Sequence, residues 1–409
     1  MDTATPNTRY YFLDWVRIAA FALLVLYHTG MYYVTWDWHV KSPHASSAIE
    51  PLMLLSSPWR LSLLFLISGV ATAFLLGKGM QGFFRMRSRR LLIPLIFGML
   101  VIVPPQAYYQ VVEQLNYPDG YLAFWGRYLH ADHSFCKSGD CLDLPTWNHL
   151  WFVAYLWVYT LLVWLAARFA PKVVERLSAK VGSFLSGPMI LIAPFLLLAI
   201  ARVTLVAIFE QTHALTDDWY NHAQYFSVFV LGFLIARNDE VWASLQRLRW
   251  SATLLAIASY LFLIGYFFVL TSDEYPPTDL LRTVQRTAWA LNQWLSIAAI
   301  IGWARQWAPG DSAVRRYLTE AVFPVYILHQ TLIVVFAHNL KPLDLPVLPE
   351  GVLLVVATYA CCFAGYELIR RATWLRPLFG LNLRPAASLA LPDAAPSAPR
   401  ILSSLDPGT

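Results

Sequence analysis

Residues 11–35 read YFLDWVRIAAFALLVLYHTGMYYVT. The stretch is long and apolar enough for a membrane-spanning helix, since about 20 residues cross the hydrocarbon core. It nevertheless carries Asp14, Arg17 and His28, and a charged group at the centre of a span costs about 2.5–3.5 kcal/mol. Arg17 and His28 are eleven residues apart, so they share one helical face, roughly 16 Å apart along the axis. We interpret this helix as lining a polar pathway or a site.

A second interpretation of the same helix needs no site. Asp14 and Arg17 are spaced i and i+3, so they can form a local ion pair near the headgroups. His28 would then extend to the opposite membrane boundary. Spacing alone leaves both interpretations open.

The composition indicates a membrane protein. Of 409 residues, 58% are hydrophobic and only 13% are charged, whereas a soluble domain carries about 25% charge. The first apolar run is long enough to span and no small-residue cleavage site follows it, so we expect no cleaved signal. The net charge of +5 is read as a topology signal rather than as a sign of nucleic-acid binding.

Apolar runs of spanning length recur ten times along the chain. Lysines and arginines concentrate in alternate connecting segments, and such positive segments stay in the cytoplasm. The sequence therefore predicts an all-α polytopic membrane protein with about ten transmembrane helices and both termini in the cytoplasm. The predicted spans are 11–35, 56–77, 91–112, 149–170, 187–209, 222–237, 251–271, 284–304, 318–338 and 349–369.

We expect one transmembrane domain at residues 1–380 and a disordered cytoplasmic tail at 381–409, because the tail is rich in Pro, Ala and Ser. Two segments on the predicted outer side, 36–55 and 113–148, are rich in Trp, Tyr, Asp and His. Such residues suit stacking on sugar rings and hydrogen bonding to hydroxyls. Interfacial aromatic belts have the same composition.

The cysteines lie in two places. Cys136 and Cys141 fall in the long outer segment, where we expect a disulfide in an oxidising compartment. Together with His130 and His133 they could instead form a zinc site, although their spacing matches no strong zinc signature. The other two cysteines fall in the last predicted span, where a free thiol packs as a small hydrophobe. No metal is expected.

Five motifs occur in order along the chain. Together they resemble the acyltransferase 3 family of integral-membrane acyltransferases, which modify sugars and glycans, over about residues 9–380. Within that family the pattern is most similar to the type that succinylates periplasmic glucans, although the Cys-containing loop is longer. The motifs are LDWVR at 13–17 followed by His28, FLISG at 65–69, FRMRSRRLLIP at 84–94, HLWF at 149–152 and YILHQ at 326–330.

The resemblance implies transfer of a succinyl or acetyl group from cytoplasmic acyl-CoA to a hydroxyl of an extracytoplasmic glycan, in a bacterial inner membrane. His28 is then a general base or a transient acyl carrier. Arg17 lies nearer the donor and is oriented by Asp14, or serves only as a structural ion-pair partner. His329 is a further catalytic candidate, although a buried His beside a Gln more often forms an interhelical hydrogen bond.

Binding residues are expected at both ends of the path. Arg85, Arg87, Arg89 and Arg90 form a cationic run whose guanidinium groups suit the phosphates of coenzyme A. Arg87 and Arg90 match the family spacing to the following proline. The same arginines would also anchor topology and attract anionic membrane lipids.

At the predicted outer end, His39, His149 and Trp151 are candidate contacts to the acceptor. For His149 and Trp151 the alternative is an interfacial anchor. Inside the predicted spans, Arg202 needs a partner or a cavity, and the Ser-Gly pair at 68–69 predicts close helix approach.

Two rival functions stay open at this point. A transporter or flippase could move an acylated or glycan intermediate without chemistry, with the charges of the spans lining its path. Transporters more often show internal repeats, and none is evident here. A partner in lipid or peptidoglycan assembly without activity of its own is the third class.

Overall fold

The computed structural model describes residues 10–137, 139–272, 274–307 and 310–383. Within these ranges the chain is almost entirely helical, and its one hairpin joins β1 (Cys136–Lys137) to antiparallel β2 (Asp140–Cys141). The predicted all-α class is confirmed. The first helices are α1 (Tyr11–Tyr33), α2 (Glu50–Leu54), α3 (Arg60–Leu76), α4 (Phe83–Phe97), α5 (Pro104–Leu115), α6 (Tyr121–Leu129), α7 (Trp151–Phe169) and α8 (Pro171–Phe184).

The second half of the described chain continues in the same way. All ten predicted spans coincide with helical segments, although the arginine run at 85–90, expected in a connecting segment, belongs to the first turns of α4. The remaining helices are α9 (Met189–Leu205), α10 (Trp219–Ile235), α11 (Asp239–Arg247), α12 (Arg249–Gly265), α13 (Asp279–Trp307), α14 (Ala313–Leu340) and α15 (Val347–Arg371).

The chain is a multi-pass membrane protein. Six helical segments of the described chain are long and apolar enough to cross a bilayer, or seven if α8 and α9, bent by 112°, count as one broken span. α3 is apolar but has only 17 residues. Ten spans with both termini in the cytoplasm therefore stay a prediction. The six segments are Tyr11–Tyr33, Phe83–Leu115, Asn148–Phe169, Arg249–Leu270, Ala313–Leu343 and Val347–Arg371.

α1 is central to the helix bundle. It packs against α3, α13, α14 and α15, which explains why apolar side chains along its length are buried. At its end, Lys41 Nζ donates to the carbonyls of Met31 and Trp36, each at 2.8 Å. A cation at the negative end of a helix is favourable, so this contact fixes the chain that leaves α1.

A π-helical segment, Gly98–Ile102, connects α4 to α5. Pro104 and Pro105 follow it, and proline supplies no N–H to the carbonyl four residues earlier. The Leu100 carbonyl, four residues before Pro104, instead accepts from Trp125 Nε1 at 2.9 Å. Thr331 Oγ1 donates to the nearby Ile102 carbonyl at 2.7 Å. α5 packs against α14.

Glycines allow α3 and α10 to cross closely. A Cβ placed on Gly69 would lie 2.0 Å from the Phe229 carbonyl oxygen, and one on Gly232 would lie 2.1 Å from that of Leu66. Neither backbone oxygen can move aside easily. The absence of a side chain at each glycine therefore allows the backbone of the other helix to come close. The expected close approach at the Ser-Gly pair is confirmed for Gly69.

The long outer segment folds around a small core of its own, which includes Phe124, Tyr128 and Phe135. The expected disulfide between Cys136 and Cys141 is present, so those sulfurs cannot bind zinc as thiolates and the alternative zinc site is wrong. Among the described residues, no group of three or more His, Cys, Asp or Glu side chains could hold a metal ion.

Two remaining expectations concern Arg202 and the tail. Arg202 has partners, since its Nη1 donates to the Tyr220 hydroxyl at 2.6 Å and its guanidinium lies 4.3 Å from the Trp289 ring centroid. After α15 a 3₁₀ turn, Arg376–Phe379, packs on α4, and Leu381 is buried. The predicted tail from residue 384 onward lies outside the described residues.

Candidate active site

Two histidines from helices far apart in sequence meet in the bundle. His28 Nδ1 lies 2.7 Å from His329 Nε2, and the rings are nearly parallel, with centroids 5.0 Å apart. His329 is fully buried. The interpretation in which His28 extends to the membrane boundary is therefore wrong, because its ring lies against α14. The structure thus brings together two of the residues predicted to be catalytic.

The hydrogen bonds determine which nitrogen of each ring carries the proton. The Tyr326 carbonyl, 2.6 Å from His329 Nδ1, can only accept, so His329 Nδ1 carries the hydrogen. His329 Nε2 is then an acceptor, and His28 Nδ1 must donate to it. The lone pair of His28 is thereby left on Nε2, which makes no hydrogen bond to the described residues. An imidazole oriented in this way can accept a proton.

His28 lines a cavity of about 320 Å³, which we call the histidine cavity. Its other walls come from the loop after α1, the start of α3 and α7, the segment before α10, and α14. Three of its residues, His39, His149 and Trp151, were predicted as acceptor contacts. The lining residues include Leu24, Trp38, Arg60, Leu64, Thr146, Trp147, Asn148, Phe152, His213, Tyr326 and Gln330.

Glutamine side chains hold the other two histidines in place. His39 Nδ1 donates to Gln110 Oε1 at 2.6 Å, and its Nε2 accepts from Gln330 Nε2 at 3.1 Å. His149 Nε2 donates to the Ile327 carbonyl at 3.2 Å. Both nitrogens of His39 are therefore occupied, which suits it to shape the cavity rather than to exchange protons.

His39 and His213 lie in loops outside the membrane-spanning segments. Burial lowers the pKa of each imidazole below its usual value, and the Gln110 contact only partly offsets this for His39. Burial disfavours the charged ring, so both are neutral at pH 7.

Three tryptophans, Trp38, Trp147 and Trp151, line the histidine cavity. A second cavity of about 510 Å³ shares Trp38 and His39 with it and reaches the disulfide hairpin. The two cavities are therefore neighbours, with Trp38 and His39 in the lining of both. Aromatic faces beside hydrogen-bonding groups are suited to sugars.

Near the beginning of α1, the predicted acid–base pair belongs to a larger ionic network. Asp14 Oδ1 lies 3.7 Å from Arg17 Nη2, and Asp14 also accepts a short hydrogen bond from Arg315. Arg315, only 1% exposed, in turn pairs with Asp311 at 2.6 Å. Asp14 therefore joins α1 to α14 and lies outside the lining of the histidine cavity.

Arg87 is partly buried beside this network, whereas Arg85, Arg89 and Arg90 are exposed. Arg87 is close enough to Arg17 and Arg90 for their charges to act on one another, and its buried Nε has no hydrogen-bond partner among the described residues. Arg85 and Arg89 are exposed and, with Arg90, line a cavity of about 460 Å³. We call Arg17, Arg87 and Arg90 the arginine cluster.

An aromatic layer separates the arginine cluster from the histidine cavity. Phe21 lies between Arg17 and His28 along α1, and its ring centroid is 5.4 Å from that of Tyr326 on α14. The lining of the histidine cavity includes neither Arg87 nor Arg90. The Phe21–Tyr326 contact therefore lies between the two ends of the polar pathway expected along α1, and the continuity of that pathway stays a prediction.

Sequence reasoning missed several residues of the site. Arg60, Gln106 and Trp147 were not among the predicted site residues. Gln106 Nε2 donates to Thr331 Oγ1 at 2.7 Å, and its Oε1 accepts from Gln330 Nε2 at 3.1 Å. An available signal was the position of Arg60 immediately before a long apolar run, since an arginine there must be paired or line a polar space.

Comparison with known proteins gives one result. The family model of the acyltransferase 3 domain, described as an acyltransferase domain, matches residues 10–367. No curated protein and no solved structure matches the chain. The matched range covers the arginine cluster, the His28–His329 pair and every residue of the histidine cavity, and the chain therefore belongs to the acyltransferase 3 family of membrane acyltransferases.

Proposed function

We propose that this protein transfers a succinyl or acetyl group from cytoplasmic acyl-CoA to a hydroxyl of an extracytoplasmic glycan, in a bacterial inner membrane. One observation carries the proposal. The hydrogen bond to His329 leaves the proton-accepting nitrogen of His28 free, in a cavity lined by three tryptophans.

Chemically, His28 acts as a general base. Its Nε2 takes the proton of the acceptor hydroxyl, the hydroxyl oxygen forms a bond to the thioester carbonyl carbon, and the carbon–sulfur bond breaks. The proton then passes from His28 to the sulfur of the leaving coenzyme A. The bond to His329 stabilises the imidazolium because His329 Nε2 accepts the Nδ1 hydrogen. If His28 instead carries the acyl group, the same free Nε2 is the nucleophile.

The arginine cluster is the proposed donor site. The buried Nε of Arg87 has no hydrogen-bond partner in the described part of the chain, and Arg87 is close enough to Arg17 and Arg90 for their charges to interact. Phosphate groups there would supply the missing acceptors. The reacting carbonyl must then extend roughly 16 Å along α1 to reach His28. The ring of Tyr326 would have to move for it to pass.

The pair of neighbouring cavities is the proposed acceptor site. It is longer than one sugar would need, because it extends from His28 past Trp38 and His39 to the disulfide hairpin. An oligomeric glycan fits this shape. The motif similarity to glucan biosynthesis protein C favours a glucan and a succinyl group, and glycan-synthesis proteins that present the acceptor would be partners.

The test uses purified protein in lipid vesicles with labelled succinyl-CoA or acetyl-CoA and oligoglucan. Release of free coenzyme A together with label covalently bound to the glycan is the expected result. Uptake of label without glycan modification would instead make the protein a transporter. Absence of both would leave a non-catalytic role in glycan or lipid assembly.

A His28→Ala variant provides the residue-level control. It should lose transfer while the protein remains folded, as checked by thermal unfolding. Acylated protein trapped in the absence of glycan, and lost in His28→Ala, would assign the covalent route. Trapping no acyl-enzyme would assign the general-base route.

A further inference from the structure

Arg60 is a buried arginine in the wall of the histidine cavity. It is the first residue of α3 and is only 4% exposed. The pocket places it in the same lining as His28 and His149. It is close enough to His28 for its charge to act on that ring.

No carboxylate of the described residues forms an ion pair with Arg60. Its Nη1 donates to Ser56 Oγ at 3.0 Å, and its guanidinium lies 3.5 Å above the centroid of the Tyr27 ring. Its Nε is buried and has no hydrogen-bond partner among the described residues. The Ser56 hydroxyl and the Tyr27 ring therefore interact with part of the guanidinium group. No carboxylate of the described residues balances its positive charge.

Arg315 differs from Arg60 in this respect. Arg315 is equally buried, and two carboxylates, those of Asp14 and Asp311, balance it. A buried charge without a partner is costly. An anionic group on a substrate bound in this cavity would offset that cost. The guanidinium fork matches a carboxylate in a bidentate manner.

We propose that Arg60 binds a carboxylate carried by the substrate, and that this carboxylate is the free end of a dicarboxylic acyl group such as succinyl. The inference rests on the proposed acyl transfer. With the reacting carbonyl at His28, the free carboxylate of a short dicarboxylic chain can reach Arg60 in the same cavity. An acetyl group lacks this contact. A carboxylate on the glycan could use the same arginine, and the experiment separates the two sources.

The first measurement is binding, which needs no catalysis. Succinate is titrated into the purified protein in lipid nanodiscs by calorimetry, with uncharged succinamide as the comparison. Succinate should bind the natural protein, and Arg60→Gln should weaken this at least about tenfold, as expected for loss of a charged hydrogen bond. Succinamide should bind neither form. Equal succinate affinity in Arg60→Gln overturns the proposal.

Arg202→Gln is the matched control. Arg202 also combines a tyrosine hydroxyl with an aromatic face, and it lies outside the lining of the histidine cavity. Its substitution should leave succinate binding unchanged. If Arg202→Gln and Arg60→Gln weaken binding equally, the effect is general loss of packing and the proposal fails. Thermal unfolding of all variants verifies that they are folded, and Arg60→Lys, which keeps the charge, replaces Arg60→Gln if the latter unfolds.

The second measurement is transfer to a neutral oligoglucan. Arg60→Gln should lower succinyl transfer about 10- to 100-fold and change acetyl transfer by no more than about twofold. Equal loss of both would mean that Arg60 acts on the reacting carbonyl, which overturns the proposal. Loss only with an acceptor that contains uronic acid would assign the carboxylate to the glycan and overturn its assignment to the acyl group.

Failure of the two proposals is distinguishable. If no acyl transfer occurs with any donor but succinate binding depends on Arg60, the carboxylate site stands and the enzymatic proposal fails. If both acyl groups are transferred but Arg60→Gln binds succinate as tightly as the natural protein does, the enzymatic proposal stands and the carboxylate site fails.

Discussion

At the scale of single residues, the His28–His329 hydrogen bond is the most informative contact. A chain of one carbonyl and two imidazoles leaves one nitrogen free to accept a proton. The same two residues seen separately would each be compatible with a structural role. Their contact explains how two polar side chains are accommodated in spanning helices.

The first prediction concerns this pair. His28→Ala should lower the single-turnover rate of acyl transfer by about 10²–10⁴, the usual contribution of a positioned base. His329→Asn should cause a smaller loss, because it removes the group that orients His28 rather than the base. Rapid-quench measurement of labelled glycan checks both. Ser68→Ala, a partly exposed serine of α3 outside the histidine cavity, serves as control, and a full rate in His28→Ala would contradict the assignment.

The second prediction concerns pH. Burial lowers the pKa of His39 in the folded protein, so below about pH 6.5 the unfolded chain binds more protons there than the folded protein does. Stability from this site is present above that pH and is lost as the pH falls. His39→Asn should therefore reduce the drop in Tm between pH 7.5 and pH 5.5, measured by thermal unfolding.

The control for that measurement is His44→Asn, since His44 is exposed and pairs with Asp344 at 2.9 Å. If both variants show the same pH dependence of Tm as the natural protein, burial of His39 does not contribute.

At the scale of helices, the crossing of α3 and α10 positions the site. α3 carries Arg60 at its first residue and packs on α10 over an extensive contact. The two glycines at the crossing set the distance between the helices. A substitution that separates α3 from α10 would therefore also shift Arg60 in the wall of the histidine cavity.

The third prediction follows from the crossing. Gly69→Ala and Gly232→Ala should each destabilise the protein by about 1–3 kcal/mol, because the added methyl group would overlap a backbone carbonyl. Gly265→Ala in α12 is the matched control, since a Cβ there meets nothing within 4 Å. Thermal unfolding in detergent measures all three. Equal Tm values for the Gly69→Ala and Gly265→Ala variants would contradict the role of the crossing.

At the scale of the whole molecule, the two ends of the bundle have different chemistry. The arginine cluster lies near the beginning of α1 and the histidine cavity near its end. An aromatic layer lies between them. If the proposed function is correct, substitutions at the two ends should affect different substrates.

The fourth prediction tests this separation. Arg87→Gln should raise the KM for acyl-CoA about tenfold with little change for the glycan, because it removes a phosphate contact. Trp151→Leu should raise the KM for the glycan instead, because it removes a stacking surface. Steady-state rates with each substrate varied check both. Arg176→Gln, at an exposed arginine of α8 outside the three cavities, is the control for Arg87, and identical effects of Arg87→Gln and Arg176→Gln would argue for a general surface-charge effect.

The sequence by itself determined the helical membrane class, the positions of the main helices, the disulfide and the family. These features depend on local patterns. Apolar runs of fixed length predict spans, the Cys136 and Cys141 spacing predicts a short covalent loop, and ordered motifs indicate the family. His28, His149 and His329 were all identified, because polar residues inside apolar runs stand out.

Only the tertiary structure decided which of these residues meet. The pairing of His28 with His329, and of Asp14 with Arg315, joins positions about 300 residues apart, and no periodicity encodes such contacts. Arg60 became notable only when the structure showed it buried with no balancing carboxylate in the described residues. The physical reason is that a helix's sequence specifies which face is polar, whereas packing against other helices decides what that face touches and whether a cavity is left between them.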